Sequence, residues 1–443
     1  MNLTYIKDSF EQLKAIDPDN PVAKLRLEGF QTFDKTGLPT KRNEEWKYTA
    51  ISALFDNPNY LAADTPAAPL EPKDIDAIRV PGCQAANELV FVNGLFDPLL
   101  STVRSKKNQL TVLPLEMAAK GIYKELVKEH LGQSSTYIPD GVHALNTSFI
   151  REGVFIHIAQ GQQLNQPIYF YHIADAKQHP VLAQPRILVI IEQNARVELV
   201  ETYHTMGASD SFTNQVMEIV LRKDARLAYY KIQQDAANAS QVSTTHIRQV
   251  ERSYVHAVTV TLNGGIIRNN MNVVMEAPRN EAHLYGLYVL NGHTHADNHT
   301  LVDNVAPNCL SNELYKGILN DHATGVFNGK IMVRPDAQKT NAYQTNKNIL
   351  LSDDATINTK PQLEIFADDV KCSHGCTVGQ LDENALFYLM ARGIPKADAG
   401  ALLLQAFALD ILEQIKPEAL RLYVTQLITY HLSIPKNDFD STI

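Results

Sequence analysis

The chain has 443 residues, 44% of them hydrophobic and 20% charged, with a net charge of −9. That is the composition of a folded soluble protein, long enough for two or three domains or for one solenoid with end pieces. The acidic balance, with no run of Lys or Arg, argues against a broad nucleic-acid surface. Four cysteines do not make a disulfide framework. No apolar stretch approaches the ~20 residues that span a bilayer, and Met1–Asp8 lacks a basic segment followed by an apolar one, so a cytoplasmic setting is expected.

In chain order, Ile6, Phe10 and Leu13 recur at i, i+4 and i+7 and predict a helix. Asn20-Pro21 reads as an N-cap followed by proline at the first position of a second helix carrying Leu25, Leu27, Phe30 and Phe33. Trp46, the only tryptophan, leads into Ile51, Leu54 and Phe55 and is expected to anchor this small domain. Residues 60–75, rich in Ala and Pro, read as a linker, so that 1–75 form an N-terminal helical domain and linker. Residues 76–144 form a mixed α/β connecting region, with a strand at Glu88–Asn93 and a helix around Leu115–Leu131 opened by Pro114.

From about 145 the period changes to two. Val154, Ile156 and Ile158 share one face, as do Ile168, Phe170 and His172; strands are then expected at Arg186–Glu192, Arg196–Glu201, Val216–Leu221 and Arg226–Ile232. Gln193-Asn194-Ala195-Arg196-Val197 is echoed 30 residues on by Lys223-Asp224-Ala225-Arg226-Leu227. Asp321-His322-Ala323-Thr324 is echoed 32 residues on by Asp353-Asp354-Ala355-Thr356. A turn recurring at this spacing points to stacked coils of a β-solenoid over 145–379, although no clean copy stands between 230 and 315.

After Gly379 the period is helical, giving a C-terminal helical domain over 380–443. Asp382 caps a helix with Leu386, Leu389 and Met390 on its apolar face, stopped by Gly393 and Pro395. A second helix runs from about Asp398 to Ile415, and Pro417 opens a third. These helices are expected to cap the open end of the solenoid.

The densest chemistry lies in Ala367-Asp368-Asp369-Val370-Lys371-Cys372-Ser373-His374-Gly375-Cys376-Thr377-Val378-Gly379. On a strand, Cys372, His374 and Cys376 share a face. The outer two stand about 13 Å apart at roughly 3.3 Å per residue, so all three hold one metal only if the chain bends, as at Gly375. From spacing alone, soft-metal chemistry and ordinary buried thiols with a hydrogen-bonded histidine both remain open. His293, His295 and His299 also share a parity and form either a metal site or a polar outer face. Gly325-Val326-Phe327-Asn328-Gly329-Lys330-Ile331 has three residues between its glycines and Ile331 where a phosphate loop has Ser or Thr. It is expected to be a tight turn, and ATP hydrolysis by this chain is not expected. Cys83 and Cys309 read as structural thiols.

The 367–379 stretch resembles the SufB/SufD family of the SUF iron–sulfur cluster assembly system, its SufD branch in particular. So do Ala306-Pro307-Asn308-Cys309, Asn312-Glu313-Leu314-Tyr315-Lys316, Gly325–Lys330, Ala337-Gln338-Lys339-Thr340, Pro361–Ile365, Leu402–Phe407 and, near the other end, Glu44-Glu45-Trp46-Lys47-Tyr48-Thr49. The resemblance implies a mainly β fold, a right-handed parallel β-helix flanked by helical domains. It implies a non-catalytic scaffold subunit that pairs with SufB and binds the SufC ATPase. His374 would lie at the contact with SufB as a transient ligand of a nascent iron–sulfur cluster, with Cys372 matching the family and Cys376 departing from it. Arg392, Leu402, Leu403, Leu404 and Phe407 would meet SufC. No cofactor is expected on the isolated chain, reduced flavin is conceivable in the complex, and a homodimer of the isolated chain is plausible. The rivals are a SufB-like, cluster-carrying subunit and, from another class, a β-helical carbohydrate-active enzyme, which needs clustered carboxylates.

Overall fold

The computed structural model describes residues 4–16, 20–55 and 70–433. The N-terminal part contributes α1 (Thr4–Ile16), α2 (Ala23–Thr36) and α3 (Pro72–Ile78), then β1 (Asn87–Val92), β2 (Leu95–Thr102), β3 (Leu110–Pro114), α4 (Leu115–Lys120), α5 (Lys124–His130) and α6 (Gly141–Ser148). Strands β4 (Val154–Ile158), β5 (Ile168–Asp175), β6 (Val181–Ala183), β7 (Arg186–Ile191), β8 (Arg196–Met206), β9 (Ser211–Leu221), β10 (Arg226–Gln234), β11 (Ala239–Gln249) and β12 (Tyr254–Asn263) follow. The series continues with β13 (Ile266–Met275), β14 (Glu281–Leu290), β15 (His295–Asn304), β16 (Leu310–Leu319), β17 (Thr324–Val333), β18 (Asn341–Leu350), β19 (Thr356–Ile365) and β20 (Lys371–Gly379). Helices α7 (Glu383–Ala391), α8 (Lys396–Leu412) and α9 (Glu418–Ser433) close the described chain.

From β7 onward successive strands fall alternately into two sheets. One runs β2-β1-β5-β8-β10-β12-β14-β16-β18-β20, the other β19-β17-β15-β13-β11-β9-β7-β4-β3. Within the solenoid, neighbours in each sheet are parallel. The chain therefore winds as a parallel β-solenoid of about eight turns, and the protein is mainly β. Period-two alternation puts Val197, Leu227, Val255 and Leu284 of the first sheet against Met217, Ile247, Val273 and Val302 of the second in one shared core.

The repeat is real but uneven. Register partners lie 27 residues apart at Tyr254↔Glu281 and 31 apart at Leu310↔Asn341, which is why copies over 230–315 escape a fixed-period search. The two echoed segments occupy opposite corners of the coil. At one, Asn194, Asp224, Arg279, Asn308 and Lys339 take left-handed φ of 57–65°. Their N–H groups bond the next coil, as in Asn194 N to Lys223 O (2.9 Å) and Asn308 N to Gln338 O (2.9 Å). Ala306–Cys309 and Ala337–Thr340 are successive copies of this corner.

The structure revises several expectations. Helices α8 and α9 do not cap the solenoid's end. Leu404, Ala408, Ile411, Val424 and Ile428 pack on the outer side of the first sheet against Val200, Tyr230, Val258, Leu287 and Ile318, because that sheet is apolar on both faces and needs a cover. The N-terminal helices cover the second sheet in the same way, with Phe10, Phe33, Trp46 and Leu145 beside Phe212 and Val242. Helix α2 starts at Ala23, and Asn20 caps the preceding turn by accepting from Val22 N (2.9 Å). Leu27 is exposed. The helix expected at Leu115–Leu131 breaks into α4 and α5 around Gly121. Gly325–Ile331 is strand β17, not a turn. A Cβ on Gly329 would lie 2.2 Å from Gln344 Nε2, so the glycine makes room for an inward side chain from the neighbouring coil. Most of the expected 60–75 linker, and the residues after 433, lie outside the described residues. Asp382 caps α7 as expected, accepting from Asn384 N and Ala385 N.

Candidate functional site at the end of the solenoid

Strand β20 is the last rung of its sheet, and among the described residues no strand pairs with its far side. It runs in unbroken register along β18, with Ala342↔Cys372, Gln344↔His374 and Asn346↔Cys376. Ala342, Gln344 and Asn346 are buried in the interior. Paired residues of neighbouring parallel strands face the same way, so Cys372, His374 and Cys376 continue the interior column beyond the point where anything covers it. His374 and Cys376 are exposed, and Cys372 is half-buried. Its thiol packs against Ile331, Val333, Ala337, Ala342 and Ala367, and burial pushes its pKa up. Gly375 stays in register opposite Thr345, so the strand does not bend there. The three residues do not converge on a single ion, and among the described residues no three His, Cys, Asp or Glu side chains do. Singly or in adjacent pairs they remain soft-metal donors at an open edge.

The surroundings suit a partner. Tyr343, Ile365, Phe366 and Val378 are exposed large hydrophobics close to this end, as at a contact surface. On the last strand of the other sheet, Pro361 removes a backbone donor; β20 contains no proline and offers an unpaired edge.

The other sites read from the sequence resolve differently. His295 and His299 lie under the Glu44–Thr49 segment on the outer face of the second sheet. Thr49 Oγ1 is 2.9 Å from His295 Nε2, and His299 Nε2 is 3.0 Å from Asp297 and its Nδ1 3.5 Å from Glu45. Arg268 stacks on Trp46 at 3.9 Å and pairs with Asp297 at 2.9 Å. Burial would raise Asp297, but His299 and Arg268 hold it far below the usual carboxylate range. His293 instead sits at a corner, stacked on His322 at 5.0 Å. His295 and His299 thus anchor the N-terminal segment, His293 does not reach it, and among the described residues the three do not share a metal. Cys83 and Cys309 are buried, with pKa values raised by desolvation. On the C-terminal helices, Leu404 belongs to the core, Leu403 and Phe407 are half-buried, and Leu402 is exposed. Phe387, Tyr388, Met390 and Leu409 are exposed too, with Arg392 5.2 Å over the Tyr388 ring.

A residue type that apolar patterning misses lies inside the solenoid, in a file of buried polar side chains. Glu201 meets Lys231 at 3.8 Å, Lys231 donates to Ser243 (2.8 Å), Gln233 donates to Asn269 (3.0 Å), and Asn269 donates to Asn298 (3.1 Å). Nearer the open end, Thr300 donates to Glu313 (2.6 Å), and Gln344 Nε2 lies 3.3 Å from the same carboxylate.

Fold and site together define a β-solenoid scaffold that presents soft donors on an unpaired edge. Residues 172–407 match the family described as SUF system FeS cluster assembly, SufBD core domain, and residues 4–170 match the SufBD protein N-terminal region. An iron–sulfur cluster assembly SufBD family protein of Synechocystis is 33% identical over 405 residues, 88% of this chain and 87% of the relative. The iron–sulfur cluster assembly protein SufD of Escherichia coli is 28% identical over 420 residues, 93% of each chain. SufD of Bacillus subtilis is 23% identical over 345 residues, 74% of this chain and 76% of the relative. The chain belongs to the SufBD family of SUF-system iron–sulfur cluster assembly proteins. None of its described helices is long and apolar enough to cross a membrane.

Proposed function

We propose that the chain is the SufD-type scaffold subunit of the SUF machinery, pairing with SufB along β20 and building the nascent cluster, as cargo, at that contact. The observation that carries this is His374, exposed on the unpaired last rung in the column that runs out of the solenoid interior. A neutral imidazole is a ligand for iron. Cys372, packed against its neighbours with a raised pKa, is the poorer donor. Cys376, exposed on the same face, is the more available thiol.

SufC would dock on the exposed face of α7 and α8, with Arg392 and Leu402 as contacts and Leu403 and Phe407 at its margin. Lys316 on β16 bonds the Phe407 carbonyl (2.8 Å) and pairs with Asp410, tying α8 to the sheet that ends in β18 and β20. ATP-driven approach of two SufC subunits would reach the SufB contact by this route. A SufB-like role is the second reading, favoured only by the exposed Cys376.

The test is co-purification with SufB and SufC. Wild type and His374→Ala are expected to form the complex equally, while the variant loses most of its iron and acid-labile sulfide. Full cluster content in the variant removes His374 from the site. Failure of the wild type to form the complex removes the SufD reading, and a stable cluster on the isolated chain selects the SufB-like one.

A further inference from the structure

Three inward side chains stand on consecutive rungs of one sheet, Glu313↔Gln344↔His374. Glu313 is fully buried, and Gln344 is 1% exposed. Glu313 accepts from Thr300 Oγ1, and its second oxygen is 3.3 Å from Gln344 Nε2. Gln344 Oε1 is buried and has no partner. The amide's orientation is not arbitrary. When ionised, Glu313 only accepts, so Gln344 then turns its NH₂ toward it and carries its carbonyl on the other prong. Glu313 lies on the β16 side of Gln344, and His374 lies on the β20 side about one strand spacing of ~4.8 Å away. Gly329 of β17 leaves the room this conformation needs, since any Cβ there would collide with the amide.

An imidazole that ligates a metal usually donates its other ring N–H to a carbonyl or carboxylate, which fixes the tautomer and the ring's direction. Among the described residues His374 makes no such bond within the chain, and Gln344 Oε1 is a buried acceptor without a donor beside it. We propose that Gln344 is the positioning residue for His374. Its side-chain carbonyl takes the N–H of one ring nitrogen and leaves the other free for iron, and Glu313 holds the amide in that orientation. The inference rests on His374 serving at the assembly site. It assigns to Gln344, Glu313 and Gly329 a joint role that none of their positions suggests alone. The groups facing Glu313 are neutral: Thr300 from β15, Gln344 from β18 and the Tyr315 phenol on its own strand. Leu284 of β14, its register partner, brings no charge. The carboxylate's preference for the amide NH₂ is therefore not diverted to a cation.

The test reads the imidazole directly. The full chain is labelled with ¹⁵N-histidine, the His374 signals are assigned by their loss in His374→Ala, and tautomer ratio and titration are followed in the wild type, Gln344→Leu and Glu313→Gln. In the wild type one tautomer is expected to dominate. Gln344→Leu shifts the ratio about five- to tenfold, the net worth of one hydrogen bond. Glu313→Gln, whose amide can present either end to Gln344, shifts it in the same direction by less and covers the case in which the leucine variant does not fold. In the co-purified complex, Gln344→Leu is expected to lower cluster content about tenfold. An unchanged tautomer ratio and titration in both variants overturns the inference. If that happens while His374→Ala still abolishes the cluster, only the positioning role falls. If His374→Ala retains the cluster, it is the assembly reading that fails.

Discussion

Replacing Glu218 with Gln is expected to cost about 3 kcal/mol of stability at pH 7, with the loss shrinking as pH falls from 4.5 toward 2. Glu218 on β9 is 2% exposed, and its partner Arg186 on β7 is fully buried, 2.7 Å away. Burial alone would raise this carboxyl. Arg186 and the N–H groups of Gly132 and Ser134 more than offset that and hold it at about 2, against an ordinary 4.5. A carboxylate depressed in the folded state contributes stability above its unfolded pKa and loses it as pH falls through the folded one, so the window here is 4.5 to 2. The drop from 4.5 to about 2 corresponds to about 3 kcal/mol, within the ~3–5 kcal/mol expected when one member of a buried pair is removed. The amide would leave the Arg186 guanidinium buried without its counter-charge. The same carboxylate bonds Ser134 Oγ (2.8 Å) and holds the 132–148 segment on the second sheet. Denaturation of wild type and Glu218→Gln, followed by Trp46 fluorescence and circular dichroism, should show separated midpoints at pH 7 that converge near pH 2. Coincident midpoints at pH 7 would refute the assignment of Glu218 as the anchor.

Sequence alone exposed what depends on local period and capping. The alternation at Val154–Ile158, the recurring turn at Asn194 and Asp224, the Asp382 cap and the shared face of Cys372, His374 and Cys376 all follow from residues within one strand or turn. What stayed hidden depends on how coils stack. The corner copies at Arg279 and Asn308 share φ but not side-chain type, because the left-handed turn constrains the backbone more than its chemistry. Where α8 and α9 lie is decided by the doubly apolar first sheet, a property of ten strands together. Whether His295 and His299 formed a metal site or a polar outer face stayed open, because their partners, Thr49 and Glu45, are about 250 residues away in the chain. Gln344 and Glu313 escaped notice because polar residues at inward positions look like outward ones shifted by a rung. The signal that could have found them was the register itself. Had coil length been known, His374 would have pointed back to Gln344, and Gln344 to Glu313.

Glu313→Gln is expected to act in the opposite sense to Glu218→Gln, stabilising the chain above pH 7 by about 3 kcal/mol with no gain near pH 4.5. Both carboxyls are buried, but Glu313 faces no cation. Desolvation pushes it up to about 7, and Thr300 and Gln344 offset only part of that. An acid whose pKa is raised by folding leaves stability intact below its unfolded value near 4.5. That stability drains away as pH rises through 7, so the cost of ionising inside the solenoid is complete only above neutrality. An amide of the same shape never ionises and should avoid that cost, while keeping an acceptor for Gln344 and a partner for Thr300. Melting curves at pH 8 and pH 4 should separate the variant from the wild type at the first value only; equal curves at pH 8 would mean that Glu313 is better compensated than its surroundings indicate. If the gain is found, a position where glutamine would make the more stable protein holds glutamate, and packing does not explain the choice. Buried groups that cost stability and shift their pKa collect where chemistry needs them. Glu313 lies two rungs behind His374, with Gln344 on the rung between them. A stability gain in Glu313→Gln would then mark Glu313 as an acid kept at a cost in stability behind the proposed assembly residue.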